Sequence, residues 1–418
     1  MIYDVRLIGI LSCLIVGVFP FVYYLFEKFS NKKLLLLATF LFIIVETYLE
    51  SRLGFVSIII QYVYLKKYYI KSNNIFLLFI FACFFISCIL YFKLNSTVGR
   101  YFIYKTILSN ISTVPFLGFG FNSFKLVYSQ WQSNLFINNV VWDKFHLLAD
   151  APSYAFNELL HFYIEFGVIS VLMYAFFTFL NCRILFKSHV NSKIFAISSL
   201  SILFYSLFSY PFHSFWILLL FLNNHLIILG ISLQRSKFTI FLSLCFFIFG
   251  IYYFYRPYLV GKEVWKFASV IPISEKKEKL KAYNEAFLNL SKDQYFLFDY
   301  ANYLNSINFN NQTIDLIKKQ ELYFNQYQKF ILLSEIYYKN NNLKLCSEAL
   351  INANYLIPNR YIPLAGLLKL SEINNDTLLI SYYSNKILAM PVKVPSVIVS
   401  EIKNKANNAL RSLNKASQ

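Results

Sequence analysis

Charged residues are scarce in this chain of 418 residues: 14% are Asp, Glu, Lys or Arg, whereas 57% are hydrophobic and 20% are aromatic. Soluble domains carry about 25% charged residues. The low charge therefore excludes an ordinary soluble protein and indicates an integral membrane protein. Acidic residues are fewer than basic residues, 21 against 39, and the net charge is +18. The basic residues form short clusters between apolar runs, which argues against nucleic acid as a partner.

Cysteine and glycine are also scarce, with 6 and 11 residues. Five cysteines lie in apolar runs and Cys346 lies in a polar tail, so neither a disulfide framework nor a zinc-binding spacing is available. The stretch "GFGFNS" lacks the third glycine of a dinucleotide-binding fingerprint and no strand precedes it. We therefore expect no cofactor and no metal, and we interpret Gly118 and Gly120 as permitting a sharp turn at the membrane face.

Long apolar runs are abundant and predict about eight membrane-spanning helices. They lie near residues 6–27, 33–50, 53–65, 75–92, 159–182, 194–209, 211–233 and 238–257. The first run has no small-residue cleavage site and is too long for a signal peptide, so it is predicted to be a retained span.

The basic residues between these spans occupy alternate connections, which predicts that those connections are cytoplasmic. They are Lys28, Lys32 and Lys33, then Lys66, Lys67 and Lys71, then Arg183, Lys187 and Lys193, and finally Arg235 and Lys237. The remaining connections are predicted to be external, including a long loop from about residue 93 to 158 and everything after about residue 258. The N-terminus would then be external as well, which is unusual for a first span and leads us to expect further spans upstream.

The composition changes at residue 259 to Asn, Lys, Glu, Tyr and Leu with helical periodicity, which predicts a separate soluble domain. Residues at tetratricopeptide-like spacing are Phe330, Leu333, Ser334, Tyr337, Cys346, Leu350, Ala353 and Pro358. Pro391 follows Pro358 by 33 residues, and Ala301 precedes Ser334 by 33. We predict about three repeats that form a docking surface or scaffold, the alternative being an unrelated helical tail.

The predicted fold class is therefore all-α, in two domains. Residues 1–258 form a polytopic helical membrane bundle with the large external loop at about 93–158, and residues 259–418 form a soluble tetratricopeptide-like repeat domain on the external side.

A polar flank marks the start of the helix predicted after the external loop, in "DAPSYAFNELLHFYIEFGVIS". At 100° per residue, Asn157, His161, Glu165 and Glu158 fall at about 0°, 40°, 80° and 100°. Ionisable groups at membrane depth are costly and normally face a wet cavity or a partner. For Asn157 and Glu158 the alternative is a solvated first helical turn, but Glu165 lies roughly 12 Å further along the helix.

Other polar side chains are predicted on the same, external side. Arg52 follows a helix end in "ETYLESRLG", and Arg100 and Lys105 lie early in the long loop. The planar fork of arginine suits a diphosphate, although for Arg52 taken alone we would favour the simpler interpretation that it reaches the lipid headgroups. His213 in "SYPFHSF" lies at another external helix end, where a lone histidine is often only interfacial.

The external loop also carries Tyr128, Gln130 and the aromatic residues Trp131, Trp142 and Tyr154. The aromatic rings could stack on sugars or form an interfacial aromatic belt.

Taken in order, these motifs resemble those of the O-antigen ligase and O-antigen polymerase family. The matching residues are Ser51, Arg52 and Gly54; Ser96, Gly99, Arg100, Tyr104 and Lys105; Pro115, Gly118, Gly120 and Phe124; Tyr128 and Gln130; and Ala155, Asn157, Glu158, Leu160, Glu165 and Gly167. The resemblance covers roughly residues 35 to 230. Where many members have a histidine before the asparagine, this chain has Phe156.

The resemblance implies transfer of a glycan from a polyprenyl diphosphate carrier to an acceptor hydroxyl of a glycan, a lipid A core or a protein. This reaction takes place at the periplasmic face of the bacterial inner membrane. Arg52 and Arg100 would stabilise the leaving diphosphate. The candidate proton acceptors are Glu158, His161, Glu165 and His213, since Phe156 cannot serve. Asn157, Gln130, Tyr128 and Lys105 would bind substrate, and the repeat domain would dock a protein partner.

Two other classes stay open at this point. One is a catalytically inactive or truncated scaffold of cell-envelope glycan assembly, anchored in the membrane and carrying the tetratricopeptide-like domain, which Phe156 favours and the arginines oppose. The other is a transporter of the lipid-linked glycan, which predicts polar groups at the middle of the membrane in paired broken helices.

Overall fold

The computed structural model describes residues 2–28, 32–65, 94–138, 143–187, 190–232 and 236–416. Regular structure in these ranges is helical throughout and contains no strand, which confirms the all-α prediction for this part of the chain. The predicted span at 75–92 and the basic cluster at residues 66, 67 and 71 lie outside the described residues.

The α-helices occur along the whole of the described chain. Those before residue 158 are α1 (Ile2–Lys28), α2 (Lys32–Tyr48), α3 (Arg52–Leu65), α4 (Leu94–Ser109), α5 (Phe124–Ile137) and α6 (Asp143–His146). Those that follow are α7 (Glu158–Phe166), α8 (Val168–Lys187), α9 (Val190–Ser206), α10 (Phe215–Ser232), α11 (Ser236–Gly250), α12 (Arg256–Val270), α13 (Lys276–Leu290), α14 (Gln294–Ser306), α15 (Asn310–Lys319), α16 (Gln326–Lys339), α17 (Leu343–Leu356), α18 (Tyr361–Ile373), α19 (Thr377–Ala389) and α20 (Val397–Ala416).

Three helical segments in the described part of the chain are long and apolar enough to cross a membrane: Ile8–Lys28, Val168–Phe186 and Phe241–Val270. The third runs from α11 through a π-helical turn at Ile251–Tyr255 into α12, and so extends past the predicted end of the last span. Shorter apolar helices occur at Leu34–Tyr48, Arg52–Leu65, Ser192–Ser206 and Phe215–Ile231.

The described chain forms two compact units. The first unit contains residues 1–100, 113–121 and 154–257, and the second contains residues 101–112, 122–153 and 258–418. The last segment of the second unit begins at residue 258, next to the predicted domain start at 259, but the unit also includes most of the loop predicted to belong to the membrane domain.

Helix α1 is the centre of the first unit, because it packs against α2, α3, α9 and α10. Buried side chains such as Val16, Phe19 and Ile202 fill the interfaces. Polar side chains add interhelical bonds: Asn224 Nδ2 donates to Ser198 Oγ at 2.9 Å, and Ser198 Oγ donates to Gly17 O at 2.6 Å. Where lipid surrounds a bundle, such packing and hydrogen bonds hold helices together.

In the second unit, consecutive helices from α13 to α20 pack against each other. The contact between α15 and α16 is the smallest of these. Side-chain caps begin several of them: Asp293, Asn325, Asn342 and Asp376 accept hydrogen bonds from N–H groups of the first helical turn. A recurrent turn ends three of them, with Asn308, Asn341 and Asn375 at φ values of 64°, 55° and 52°. Asparagine tolerates this left-handed conformation better than most residues, and the turns recur at intervals of 33 and 34 residues.

Segments of the long loop belong to the core of the second unit. Helix α5 packs against α16 and α17, and Gln132 Nε2 donates to Leu356 O at 2.6 Å and to Asp150 O at 3.0 Å. The side chain of Asn359 donates to the carbonyl oxygens of three loop residues, His146, Leu147 and Ala149, at 2.8, 2.9 and 3.0 Å. The C-terminal helices and the connection at Asn359 therefore hold this part of the loop in place.

We expect Asn359→Ala to loosen the loop around residues 146–149. The substitution removes the amide group that donates hydrogen bonds to three carbonyl oxygens. An unsatisfied buried polar group costs about 1–3 kcal/mol. Amide hydrogen exchange at residues 146–150 should accelerate while exchange within α18 stays slow. Asn385→Ala is the matched control, because the exposed Asn385 amide makes only a long 3.4 Å bond to Ser381 Oγ. Equal exchange in the two variants would contradict this role of Asn359.

Candidate functional site

The polar flank of α7 begins with a helix cap. Asn157 has extended backbone angles (φ −154°, ψ 112°), and its Oδ1 accepts a hydrogen bond from Leu160 N at 3.0 Å. It is thus the N-cap of α7 and its side-chain oxygen is already used. The residue before it, Phe156, has φ +55°, which is unusual for a bulky residue and marks local strain.

Glu158 and His213 form a carboxylate–imidazole pair in the first unit. The Glu158 side chain is fully buried, and its Oε1 accepts Phe212 N–H at 2.8 Å and lies 3.3 Å from His213 Nδ1. A hydrogen bond from Nδ1–H to Glu158 leaves Nε2 of a neutral His213 as an acceptor. Since 25% of the His213 side chain is exposed, this imidazole is accessible whereas its carboxylate partner is not.

A second pair lies one turn along α7. His161 Nε2 is 3.3 Å from Glu165 Oε1, and both side chains are almost fully buried. Burial lowers the pKa of His161, because the charged imidazolium loses its hydration, whereas the hydrogen bond to Glu165 raises it. The net result is a pKa below the ordinary value, which favours the neutral ring. The rings of His161 and His213 are 4.6 Å apart and nearly perpendicular.

Aromatic rings pack beside His213. Tyr154 stacks on Tyr210 with 4.5 Å between ring centroids, and its centroid is 4.3 Å from that of His213. Tyr210 also meets the Phe156 ring edge-on at 5.5 Å. The guanidinium carbon of Arg100 lies over Phe156 at 4.9 Å from the ring centroid.

The two predicted arginines lie on the same part of the first unit. Arg100 Nη1 donates to Phe208 O at 3.1 Å, in the connection that leads to His213, and Arg52 Nη1 donates to Thr97 Oγ1 at 3.3 Å. Their positive charges repel each other electrostatically. Such a pair of neighbouring cations is suited to a ligand with two negative charges.

The glycine-rich stretch supports the end of α7. Phe119 N and Gly120 N donate to the carbonyl oxygens of Ile164 and Glu165 at 2.9 Å each. Gly118 and Gly120 have φ values of +76° and +99°, and a Cβ at Gly118 would collide with the Glu165 backbone. The interpretation of a sharp turn thus has a physical reason: the loop must approach the backbone of α7 closely.

Helix α7 ends at Gly167, which interrupts the continuous span predicted from residue 159. Gly167 has φ +60° and ψ −142°, and a Cβ there would collide with Phe116 O. Val168 N, at the start of α8, donates to that same carbonyl at 3.0 Å. The break places Glu158, His161 and Glu165 on a short helix of its own, ahead of the apolar α8.

We expect Gly167→Ala to destabilise the first unit strongly. The strained backbone alone costs about 1–3 kcal/mol, and the collision with Phe116 O adds to it. Thermal unfolding of the purified protein in detergent should show a clear drop in midpoint. Gly99→Ala is the control, since Gly99 lies inside α4 with open space around it and alanine favours a helix by about 1 kcal/mol. A midpoint for Gly167→Ala that equals the control would contradict the role of the turn.

Three predicted substrate-binding residues belong to the second unit. Tyr128 is buried, stacks on Phe124 with 5.6 Å between centroids and donates to Gln132 at 3.0 Å, and burial raises its pKa. Lys105 lies 5.6 Å from the Phe145 ring centroid, and Gln130 is exposed on α5. Trp131 is also buried in this unit, and Trp142 lies outside the described residues.

Within the described ranges, no group of three or more His, Cys, Asp or Glu side chains could hold a metal ion. The candidate site thus consists of two arginines, two carboxylate–imidazole pairs and a set of stacked rings. Sequence reasoning missed the pairing of Glu158 with His213 and the stack of Tyr154 on Tyr210, because these residues are more than 50 positions apart in the chain. The only available signal was that both segments were predicted on the same side of the membrane.

No protein-family model, no curated protein and no solved structure matches this chain.

Proposed function

We propose that this protein transfers a glycan from a polyprenyl diphosphate carrier to an acceptor hydroxyl at the external face of the bacterial inner membrane. The observation that carries the proposal is the accessible His213, held by the buried Glu158, beside a stack of aromatic rings that leads to Arg100. This set contains a proton acceptor, a surface for sugar rings and a cation for the leaving group. The order of sequence motifs, which resembles that of O-antigen ligases and polymerases, supports the same activity.

The arginines would act on the diphosphate. When the bond between the anomeric carbon and the phosphate oxygen breaks, negative charge develops on the leaving polyprenyl diphosphate. Arg100 and Arg52 would bind this charge more tightly in the transition state than in the ground state, which accelerates the reaction. Arginine suits this role because its planar fork can donate two parallel hydrogen bonds to phosphate oxygens.

His213 would act as the general base. The acceptor oxygen forms a bond to the anomeric carbon and gives its proton to His213 Nε2, while the phosphate oxygen leaves with the bonding electron pair. Glu158 would fix the tautomer of His213 through Nδ1–H and stabilise the imidazolium that forms. The more deeply buried His161 and Glu165 would support the ring of His213 from behind, at 4.6 Å between the two imidazole centroids.

Tyr154 and Tyr210 would bind the glycan. Their stacked rings, 4.5 Å apart, are both partly exposed and adjoin His213. Aromatic faces provide large contact area and the tyrosine hydroxyls can bond to sugar hydroxyls. Phe156 takes the position where the family resemblance suggests a histidine, and its contact with Arg100 suggests that it positions this guanidinium.

A multi-pass topology fits this activity. The three long apolar helices and the four shorter ones would form the membrane bundle, with the basic clusters at the cytoplasmic ends and the candidate site at the external end. The C-terminal helices would be periplasmic. The turns at Asn308, Asn341 and Asn375 recur with tetratricopeptide-like spacing, which supports a repeat domain that holds the external loop and docks a protein partner.

The test is a transfer assay with the purified full-length protein in proteoliposomes. The donor is a polyprenyl-diphosphate-linked oligosaccharide, and the acceptors, tested separately, are a second lipid-linked repeat unit, a lipid A core and a serine-containing peptide. We expect transfer to one of them. An unchanged donor in the presence of folded protein would overturn the proposal in favour of the scaffold. Passage of intact donor across the bilayer would overturn it in favour of a transporter.

A further inference from the structure

The glycine-rich loop that supports the end of α7 is both apolar and exposed. It reads "VPFLGFGF" over residues 114–121, and no side chain in it can carry a charge or form a hydrogen bond. The side chains of Phe116, Leu117 and Phe121 are all exposed. Several exposed apolar side chains in one short segment mark a surface that contacts another molecule or a membrane.

Backbone hydrogen bonds hold this loop against the helices of the first unit. The amide groups of residues 118–120 each donate to a backbone carbonyl at 2.9 Å, and Phe116 O accepts Val168 N–H at 3.0 Å. Two of the acceptors, Ile164 O and Glu165 O, lie at the C-terminal end of α7, where a helix leaves carbonyl groups without internal partners. Because these polar groups bond to each other, the loop backbone can approach lipid at a lower cost.

The apolar surface of the loop continues onto α8. The rings of Phe121 and Phe166 have centroids 6.3 Å apart, and Phe166 is the last residue before the break that leads into α8. Leu172 and Met173, in the second turn of α8, are exposed as well. The segment Val168–Phe186 is apolar enough to cross a membrane, and most of it is not buried by the protein. Its exposed face therefore needs lipid around it.

Lipid fits the loop better than a protein partner does. Protein interfaces normally combine an apolar centre with a polar rim that forms hydrogen bonds. The side chains of residues 114–121 offer no such group. The loop also adjoins the start of α8, whose exposed side chains are of the same apolar kind. The two surfaces together suit the acyl chains of one lipid leaflet.

We propose that residues 115–121 are a membrane anchor, in which Phe116, Leu117 and Phe121 enter the acyl chains of the external leaflet beside α8. The loop backbone stays near the lipid headgroups, since irregular backbone is not exposed to the hydrocarbon core. Because the loop bonds to the end of α7, the anchor holds the polar flank of α7 at the membrane surface. This inference rests on the proposed position of α8 in the membrane and does not depend on glycan transfer.

Tryptophan substitutions at three exposed leucines test the anchor in proteoliposomes of the full-length protein. Leu117→Trp reports on the loop, Leu172→Trp on α8 and Leu378→Trp on α19, and these leucines are 62%, 64% and 81% exposed. The fluorescence of the wild type, which has 4 tryptophans, is subtracted from each variant. One quencher is a phospholipid with bromine on its acyl chains near the glycerol, and the other is iodide in the water on both sides of the membrane.

We expect the brominated lipid to remove most of the added fluorescence of Leu117→Trp and Leu172→Trp, and iodide to leave it. Leu378→Trp should show the opposite. If Leu117→Trp responds to iodide as Leu378→Trp does, the loop faces water and the inference is wrong. If neither quencher acts on Leu117→Trp, a second copy or another protein segment covers the loop, and the inference is wrong again. If Leu172→Trp responds to iodide alone, both the topology and the anchor are wrong.

A charged substitution gives an independent readout. Leu117→Glu should lower the midpoint of thermal unfolding in proteoliposomes, because a charged side chain is costly where it meets acyl chains. Leu378→Glu should keep the wild-type midpoint, since its side chain stays in water. Equal midpoints for the two glutamate variants would overturn the anchor.

Discussion

We expect Arg100→Ala and Arg52→Ala each to lower the rate of the proposed glycan transfer by about 10²–10³-fold, the usual effect of removing one group that stabilises developing negative charge. Arg100 contributes a guanidinium above Phe156 and a hydrogen bond to Phe208 O. Loss of these exposed contacts costs stability by only about 1 kcal/mol. The variants should therefore insert and fold, and the defect should appear in the transfer rate measured in proteoliposomes.

Arg183→Ala is the control, because Arg183 is an arginine of the first unit that lies near the far end of α8; it is exposed, whereas Arg52 and Arg100 are partly buried. It should transfer at the wild-type rate. Arg100→Lys should recover only part of the activity, since lysine keeps the charge but lacks the planar fork. Full activity in both alanine variants would rule out a role for these side chains in binding the diphosphate.

Glu158→Gln is expected to reduce kcat by about 10²-fold or more while KM changes little. Glutamine retains an oxygen that accepts Phe212 N–H, so the backbone around Pro211–His213 keeps its support. It has no negative charge to stabilise the imidazolium of His213, and general acid–base catalysis of this type contributes about 10²–10⁴-fold. A selective loss of kcat indicates an interaction that is made only in the transition state.

Comparison with Glu158→Ala separates this role from a structural one. Alanine also removes the acceptor of Phe212 N–H, which costs about 1–3 kcal/mol, so this variant should unfold at a lower temperature. Glu158→Gln should unfold at nearly the wild-type temperature and still be slow. A glutamine variant that is slow only because it is unstable would show that Glu158 serves the fold and not the reaction.

The local parts of the site follow from the sequence. Helical periodicity grouped Glu158, His161 and Glu165 on one flank, and these three residues do lie together on α7. The same periodicity predicted Asn157 on that flank. Asn157 instead has an extended backbone and lies before the first helical turn, so it caps the helix. The break at Gly167 was also not predicted, since an apolar run does not show where the chain must pass close to another backbone carbonyl.

The contacts between distant segments could not be predicted in this way. Periodicity describes one helix at a time, so it could not choose between His161 and His213 as proton acceptor. The choice depends on exposure and on a bond from Glu158 to a residue 55 positions later. The same limit applies to Tyr128. Tyrosine is a residue type that can stack on sugars, but Tyr128 is buried in the core of the second unit.

The turns after α14, α16 and α18 recur at intervals of 33 and 34 residues, and the sequence predicted part of this regularity. Small and large residues at a spacing of 33 or 34 predicted it, and Ala301, Ser334 and Ala353 are buried. The asparagines that end α14, α16 and α18 are a clearer signal, because they share a left-handed conformation. This chain contains many asparagines, and only the backbone angle φ distinguishes those that form such a turn. Composition does not reveal that angle.

Single-turnover stoichiometry is the most direct test of the proposed glycan transfer. With wild-type protein in excess over the lipid-linked donor, we expect one polyprenyl diphosphate to be released for each glycan joined to the acceptor. The release should fall about 10²-fold or more in Arg100→Ala and in Glu158→Gln. If release is no greater than in empty vesicles, or is equal for the wild type and both variants, the protein does not catalyse the proposed transfer through these residues.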